Sequence, residues 1–289
     1  MGNVLAVIGG SGLYSVDDMT DIEEIHVDTP YGAPSDAVIR GRFRDNGAEM
    51  MFLPRHGRGH RLSPTEINYR ANICALKKLG ATHVLSVSAV GSMKEEIAPG
   101  DLVVVDQFID LTKRRVSTFF DGGIVGHVAF ADPVCPILAG AVYEAAKASG
   151  ARAHKGGTYV CIEGPQFSSR AESLVYRSWG VSVIGMTNMP EAKLAREAEL
   201  PYATLALSTD YDCWHHSEEA VTVEMVVATL TKNVRFARDV AKRLAANLPD
   251  VSNSIARGTL QNAVMTAPEK IPHETRERLG WLLEHQKSA

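Results

Sequence analysis

Ser63-Pro-Thr-Glu66-Ile-Asn-Tyr-Arg-Ala-Asn-Ile-Cys-Ala-Leu-Lys-Lys-Leu-Gly80 runs almost directly into His83-Val-Leu-Ser-Val-Ser88, and this pair of stretches decides the fold class. The first predicts a helix over 63–80, with Ser63 as N-cap, Pro64 at the first helical position, Glu66 three residues after the cap and Gly80 as the stop. The second is a run of strand length at which the helix ends. Outward from this pair the alternation continues. Strands are expected at 4–8, 102–105, 158–162, 181–186 and 202–207, and helices at 136–149, 171–179, 190–198 and 222–246. Strands and helices taking turns along a chain are the signature of an α/β sheet. The expected fold is therefore a single α/β domain over residues 1–250, with the more polar 251–289, which holds Pro268 and Pro272, as a C-terminal helical appendage packed on the same domain.

Composition narrows the function. A chain of 289 residues with 45% hydrophobic content can bury a sizeable core. Its net charge of −4, with Lys and Arg scattered, argues against nucleic acid as a partner, because a phosphate-backbone binder needs a concentrated basic surface. Cys74, Cys135, Cys161 and Cys213 are far apart and show no CxxC spacing, which fits a reducing, cytoplasmic setting and makes a zinc site unexpected. The N-terminal residues read as a first strand and not as a signal peptide, and no segment approaches the length of a membrane helix, so no membrane partner is expected.

Chemistry gathers at the strand ends. Leu205-Ala-Leu-Ser-Thr-Asp210-Tyr-Asp212-Cys-Trp214 ends an apolar run with two carboxylates two positions apart. In a strand these side chains point the same way, and together they suit a ligand with two donors. An adenine ring leaving its sugar is one such ligand: its exocyclic amine donates to one carboxylate, and a ring nitrogen that takes up a proton donates to the other. A solvated turn is the plainer reading. Val7-Ile-Gly9-Gly10-Ser11-Gly12 follows the first strand with a glycine-rich turn that lets backbone N–H groups and Ser11 approach an anion, or is simply a tight turn. It matches neither the dinucleotide fingerprint nor the P-loop, which excludes an oxidoreductase reading. Arg55-His56-Gly57-Arg58-Gly59-His60 offers an anion loop, against a solvated basic turn; with no carboxylates or paired histidines on one rigid face, no metal is expected there.

Ser88-Ala89-Val90-Gly91 lies at the carboxyl end of a strand, where ligands of open α/β sheets bind. In Glu163-Gly-Pro-Gln-Phe167-Ser168-Ser169-Arg-Ala-Glu172, Phe167 offers an aromatic face, Ser168 a donor, and Ser169 with Glu172 a capping box. Met186, in Gly185-Met-Thr187-Asn-Met-Pro190-Glu191, is placed to lie under a sugar, although such a methionine is usually core.

Taken in order, these motifs resemble the trimeric purine nucleoside phosphorylases, and within them the branch that acts on 5′-methylthioadenosine, over roughly residues 3–246. With the pattern above, the resemblance implies a mixed, twisted β-sheet flanked by helices. It implies a phosphate site from Ser11, Arg55, His56, Ser88, the Ala89 backbone and Ser168. Phe167 would pack on the base, Asp210 would serve N7 as the catalytic acid or proton conduit, Asp212 would accept from the 6-amino group, and Met186 and Thr187 would face the ribose. Val223, Val226 and Val227 would line an apolar methylthio pocket closed by His60 and by His127 of an adjacent subunit, although one buried helix face explains the valines as well. The implied reaction is phosphorolysis of 5′-methylthioadenosine to adenine and 5-methylthioribose 1-phosphate, with phosphate as co-substrate, no cofactor, and a homotrimeric assembly. Two departures stand out: Ser11 replaces a threonine frequent in relatives, and Gly185 an asparagine.

Competing readings are a relative that cleaves methylthioinosine or inosine, a hydrolytic nucleosidase, and a non-catalytic purine-nucleotide sensor on the same fold. Two aspartates facing the base disfavour a 6-oxopurine, and water needs no anion cradle.

Overall fold

The computed structural model describes residues 3–13, 19–215 and 223–283; the side chains of Ser11, Val223, Glu224, Met225, Val226 and Ala228 lie outside that description. The apolar run at the N-terminus forms β1 (Leu5–Gly9), buried at every residue because it is covered on both faces. It lies parallel to β4 (Glu49–Pro54) on one side and to β5 (His83–Ser92) on the other. On the other side of β5 runs β11 (Tyr202–Asp210), also parallel, and β5 further meets β10 (Val183–Gly185) antiparallel at its far end. The remaining strands are β2 (Met19–Ile25), β3 (Val38–Phe43), β6 (Leu102–Val105), β7 (Gln107–Asp110), β8 (Ala153–Lys155) and β9 (Thr158–Cys161). Together they make one mixed 11-stranded sheet, with β2-β3-β4-β1-β5-β10-β9-β7 as its main path and β11, β6 and β8 branching from β5. Helices α1 (Tyr69–Lys78), α2 (Pro136–Ala148), α3 (Arg170–Ser178), α4 (Glu191–Glu197), α5 (Val223–Ala246) and α6 (His273–Leu283) accompany it.

Apolar residues from sheet and helices form two large clusters. One contains Ile73 and Leu76 of α1 with Leu194 of α4; the other contains Leu138 and Val142 of α2 with Val240 and Leu244 of α5. The tail joins the first cluster: Leu260, Ala263, Leu279 and Leu282 are buried in it, and Arg278 of α6 pairs with Asp121. Among the described residues, no helix is long and apolar enough to cross a membrane.

One expectation is corrected and one feature is added. The first helix starts at Tyr69 and not at Ser63, and its N-cap is Asn68, whose side chain accepts from the Ala71 amide at 3.1 Å. Ser63 and Glu66 do bond, Glu66 Oε2 accepting from the Ser63 amide and hydroxyl at 3.0 and 2.6 Å, but they close a separate turn. The same Asn68 side chain donates to Tyr31 O at 2.7 Å, so a tertiary contact sets the start of the helix. The antiparallel β2–β3–β4 meander is an addition, since the alternation signal predicts nothing there. Strand β2 is an edge strand, mostly exposed, carrying Asp21, Glu23 and Glu24, and charged edges carry no apolar period.

Candidate active site

Parallel pairing of β5 with β11 brings two carboxyl ends together: Ala206 lies opposite Ser88, Leu207 opposite Ala89 and, after an irregularity between Ser208 and Asp210, Asp210 opposite Gly91. Beside these ends opens a cavity of about 390 Å³. Arg55, His56, His60, Ser88, Ala89, Phe167, Ser168, Met186, Thr187, Asp210 and Asp212 all line it, so most of the residues singled out from sequence converge on one place.

The carboxylate pair is built differently from the simple strand alternation. Strand β11 ends at Asp210, and Asp212 takes a left-handed backbone with φ of 51°, a conformation that Asp tolerates better than most residues. The Asp212 amide donates to Asp210 Oδ1 at 2.8 Å, and the Thr209 hydroxyl to Asp210 Oδ2 at 2.7 Å. This local turn, and not the strand period, sets the two acids together. Gly91 makes room for them: a Cβ there would stand 3.0 Å from Asp210 Oδ1 and 3.2 Å from Asp212 Cβ. Asp212 is 6% exposed, and burial pushes its carboxyl up, opposed by the hydroxyl of Ser173 on α3, which donates to Oδ2.

Elsewhere on its lining the cavity offers donors. Ser88 and Ala89 stand on β5 three and two residues before Gly91, and the hydroxyl oxygen of Ser168, whose carbonyl accepts from Cys213 Sγ at 3.5 Å, is buried with no partner among the described residues, a donor waiting for an acceptor. His56 Nδ1 lies 2.8 Å from the Leu62 carbonyl oxygen, which assigns the ring proton to Nδ1 and leaves Nε2 as an acceptor. Burial pushes the ring down to about 4, so it is neutral at pH 7. His60 stacks on it, with ring centroids 4.1 Å apart.

Arg55 departs from the expectation of an anion clamp on a loop. It is 2% exposed and paired with fully buried Glu191 of α4, Nε donating to Oε2 at 2.8 Å and Nη2 to Oε1 at 3.1 Å. It also donates to Val87 O, Ile8 O and Ser86 Oγ. Burial works against its charge, and the Glu191 carboxylate outweighs that and moves the guanidinium pKa up. A guanidinium carries five N–H groups, and one Nη1 proton has no acceptor among the described residues. Arg55 thus lines the cavity with most of its donors already committed to the protein.

Other residues divide between the cavity and its surroundings. Ser11 begins a short 3-10 turn next to cavity-lining Gly10 and Gly12; its side chain lies outside the described set. Phe167 is half exposed at the cavity wall. Thr187, expected at the sugar, turns its hydroxyl to Ser88 Oγ at 3.0 Å. The α5 side of the cavity is made by Leu230 and Val234, while Val227, 53% exposed, lines a neighbouring hollow. The side chains of Val223 and Val226 fall outside the described residues. His127 is exposed and not among the lining residues; its amide donates to Ala263 O at 2.8 Å.

Sequence reasoning missed the supports. The side chain of Arg115 is 1% exposed, and its guanidinium donates to the carbonyls of Met186, Met189 and Glu163 at 2.6–2.7 Å, tying the loop after β9 to the loop after β10. Its place in Lys113-Arg114-Arg115 reads as a solvated basic turn. Burial alone would raise the Glu163 carboxyl, but the Thr65 hydroxyl, the Lys113 amide and Arg115 hold it at about 2.

A sequence description of the phosphorylase superfamily matches residues 4–246. The chain belongs to that superfamily. It is similar to the S-methyl-5′-thioadenosine phosphorylase of Geobacter sulfurreducens, 54% identical over 284 residues, covering 98% of this chain and 99% of the relative. Among solved structures, a methylthioadenosine phosphorylase from an antarctic soil metagenomic library superposes with a TM-score of 0.90 at 50% identity, covering 96% of this chain and 98% of that one. A mutant adenosine/methylthioadenosine phosphorylase from Schistosoma mansoni, in complex with methylthioadenosine, superposes with a TM-score of 0.84 at 34% identity, covering 91% and 99%. The single α/β domain with a mixed sheet is the fold of this superfamily member and of these neighbours.

Proposed function

We propose that this chain catalyses phosphorolysis of 5′-methylthioadenosine to adenine and 5-methylthioribose 1-phosphate. The observation that carries the reading is the division of one cavity into an acceptor end, Asp210 and Asp212 beside Gly91, and a donor end at Ser88 and Ala89, two to three residues back along β5. Ser88 and Gly91 are three residues apart on an extended strand, roughly 10 Å, enough for a purine at one end and a phosphate at the other with the sugar between.

The chemistry then balances. Phosphate enters as the hydrogen-phosphate dianion; an oxygen forms the new bond to C1′ as the C1′–N9 bond breaks, and the proton that phosphate loses is regained by the purine. Neutral His56 accepts the phosphate hydroxyl at Nε2 while the hydroxyls of Ser88 and Ser168, the Ala89 amide and one Arg55 N–H donate. The glycine-rich turn adds Ser11. The bound dianion lies below a sugar that develops positive charge, a preorganised electrostatic contribution. Holding both reactants in line supplies on the order of 7 kcal/mol. Asp210 acts at N7 and Asp212 accepts from the 6-amino group, with Phe167 against the base and Met186 under the sugar. No cofactor takes part. Leu230, Val234 and His60 offer the apolar surface that a 5′-methylthio group needs and a 5′-hydroxyl does not.

We also infer a homotrimer in which His127 closes a neighbour's cavity; its exposure away from its own cavity, together with exposed Leu174, Val175 and Trp179 on and after α3, supports this. The free cysteines fit a cytoplasmic location. The test is a substrate panel: with phosphate present, 5′-methylthioadenosine is cleaved in preference to adenosine, methylthioinosine and inosine. Preference for a 6-oxo substrate would overturn the assignment of the carboxylates.

A further inference from the structure

Tyr159 stands within β9, where the strand pattern assigns it to the core, and it is fully buried with its ring edge-on to Phe108. Its hydroxyl has a more specific place. Tyr159 Oη lies 3.1 Å from Ser88 Oγ and accepts from the Thr187 amide at 3.5 Å. It reaches this position through the one residue that permits it: a Cβ on Gly185 would stand 2.0 Å from Tyr159 Oη and 2.6 Å from Cζ. Any side chain at 185 would push the phenol off Ser88. The absence of a side chain at 185 and the presence of a phenol at 159 are two halves of one arrangement.

The proton count at Ser88 follows. A serine hydroxyl has one proton to donate and two lone pairs to fill. The buried Tyr159 hydroxyl bonds Ser88 Oγ, the Thr187 amide and the Thr187 side chain; the amide is itself a donor, so the phenol has the hydroxyl oxygens of Ser88, at 3.1 Å, and Thr187 as its acceptors. The Thr187 hydroxyl lies 3.0 Å from the same Ser88 oxygen, so the phenol and the Thr187 hydroxyl together bring two protons to the two lone pairs of Ser88. With both of these protons directed at it, Ser88 becomes a pure donor, with a long 3.3 Å contact to the Ala89 carbonyl beside it for its own proton. A hydroxyl that binds an anion has to donate, and one already turned outward loses no rotamer freedom on binding.

We propose that Tyr159 is a positioning residue of the phosphate subsite: seated through Gly185, its phenol, with the Thr187 hydroxyl, fills the acceptor sites of Ser88 and commits the serine proton to the incoming phosphate. The inference rests on the reading of Ser88 as a phosphate ligand, and the experiment separates the two.

Initial rates are measured for the full-length enzyme and its Y159F, S88A and Y159F/S88A variants, varying inorganic phosphate and 5′-methylthioadenosine independently. Loss of one net hydrogen bond corresponds to about a three- to tenfold change in affinity. Y159F is expected to raise the phosphate KM by that factor and leave the nucleoside KM unchanged. Because Tyr159 acts through Ser88, the double variant is expected to be no worse for phosphate than S88A alone. An unchanged phosphate KM in Y159F, with S88A raising it, would reduce Tyr159 to core packing. Additive effects in the double variant would also overturn the proposal. If S88A itself leaves the phosphate KM unchanged, the assignment of Ser88 is what fails. T187V removes the other donor to Ser88 and repeats the test should Y159F fail to fold: a raised phosphate KM supports the arrangement, an unchanged one contradicts it.

Discussion

Replacing Arg55 by alanine removes one half of a fully buried ion pair and leaves Glu191 charged under the active site. Breaking a buried pair from one side costs about 3–5 kcal/mol. The residual bonds that Glu191 accepts, from Ser86 at 2.6 Å and Tyr202 at 2.9 Å, moderate the penalty. Against them stand the Val87 and Ile8 carbonyls, which lose the Arg55 donors. The net expectation for Arg55→Ala stays at about 3–5 kcal/mol, a fall in melting temperature of roughly 6–20 °C for a chain of this size. The informative control is Arg55→Met with Glu191→Leu, which replaces both charges by apolar groups of similar volume. Asn188 still donates to Ser86 and Tyr202 in that background. The double variant is expected to recover at least half of the lost stability while remaining deficient toward phosphate, because the Nη1 proton assigned to phosphate is gone. Differential scanning calorimetry and the phosphate KM together make the test. A single variant that loses under about 1 kcal/mol, or a double variant no more stable than the single, would refute the buried-pair account.

Two further outcomes follow from the site and its surroundings. Asp212→Asn replaces an acceptor-only carboxylate by an amide that can also donate, so the preference for 6-amino over 6-oxo nucleosides should fall by about tenfold or more, as one charge-assisted hydrogen bond is worth about 1.5–3 kcal/mol; kcat/KM on methylthioadenosine and methylthioinosine measures it, and a constant ratio counts against the assignment. Glu197 caps the loop before His127 by accepting from the Phe119 amide and the Thr118 hydroxyl, and burial raises its carboxyl from 4.5 to about 6 despite those bonds. Below pH 4.5 the group is protonated in both folded and unfolded chains; between 4.5 and about 6 the folded chain holds a proton the unfolded chain has released, so this contribution to stability falls as pH rises and is then constant. The loss is on the order of 2 kcal/mol. Subtracting the stability curve of Glu197→Gln from that of the native chain should expose that slope, and a flat difference would show that Glu197 does not titrate there.

What was legible in the sequence was whatever repeats or stands out against its neighbours. The covered strands β1, β5 and β11 are short apolar runs, and helices such as α3 carry a complete capping box at Ser169 and Glu172, which the structure forms. The β2–β3 edge carries charges where the alternation should be apolar, so its pairing shows only in three dimensions. The carboxylates at 210 and 212 could be found, because two acids closing an apolar run are conspicuous. Their geometry could not: a left-handed Asp212 bonded to Asp210 is a property of one turn and leaves no periodic trace. The network under the site was hidden for the opposite reason. Ser86, Thr204 and Tyr202 sit inside apolar strands where single polar residues look incidental, yet Asn188 and Glu191 join them into the floor on which Arg55 rests. On α5 the apolar stripe is legible, and among the described residues its cavity-lining members are Leu230 and Val234, while Val227 lines a neighbouring hollow and the side chains of Val223 and Val226 lie outside the described residues.

The central claim is that phosphate, and not water, receives the sugar. Phosphorus-31 NMR of the enzyme incubated with 5′-methylthioadenosine and inorganic phosphate tests it without relying on adenine release. The account predicts a new sugar 1-phosphate resonance that grows in step with free adenine and is absent when phosphate is omitted. Adenine appearing with no phosphate ester, at a rate indifferent to phosphate, would contradict it and make the chain a nucleosidase.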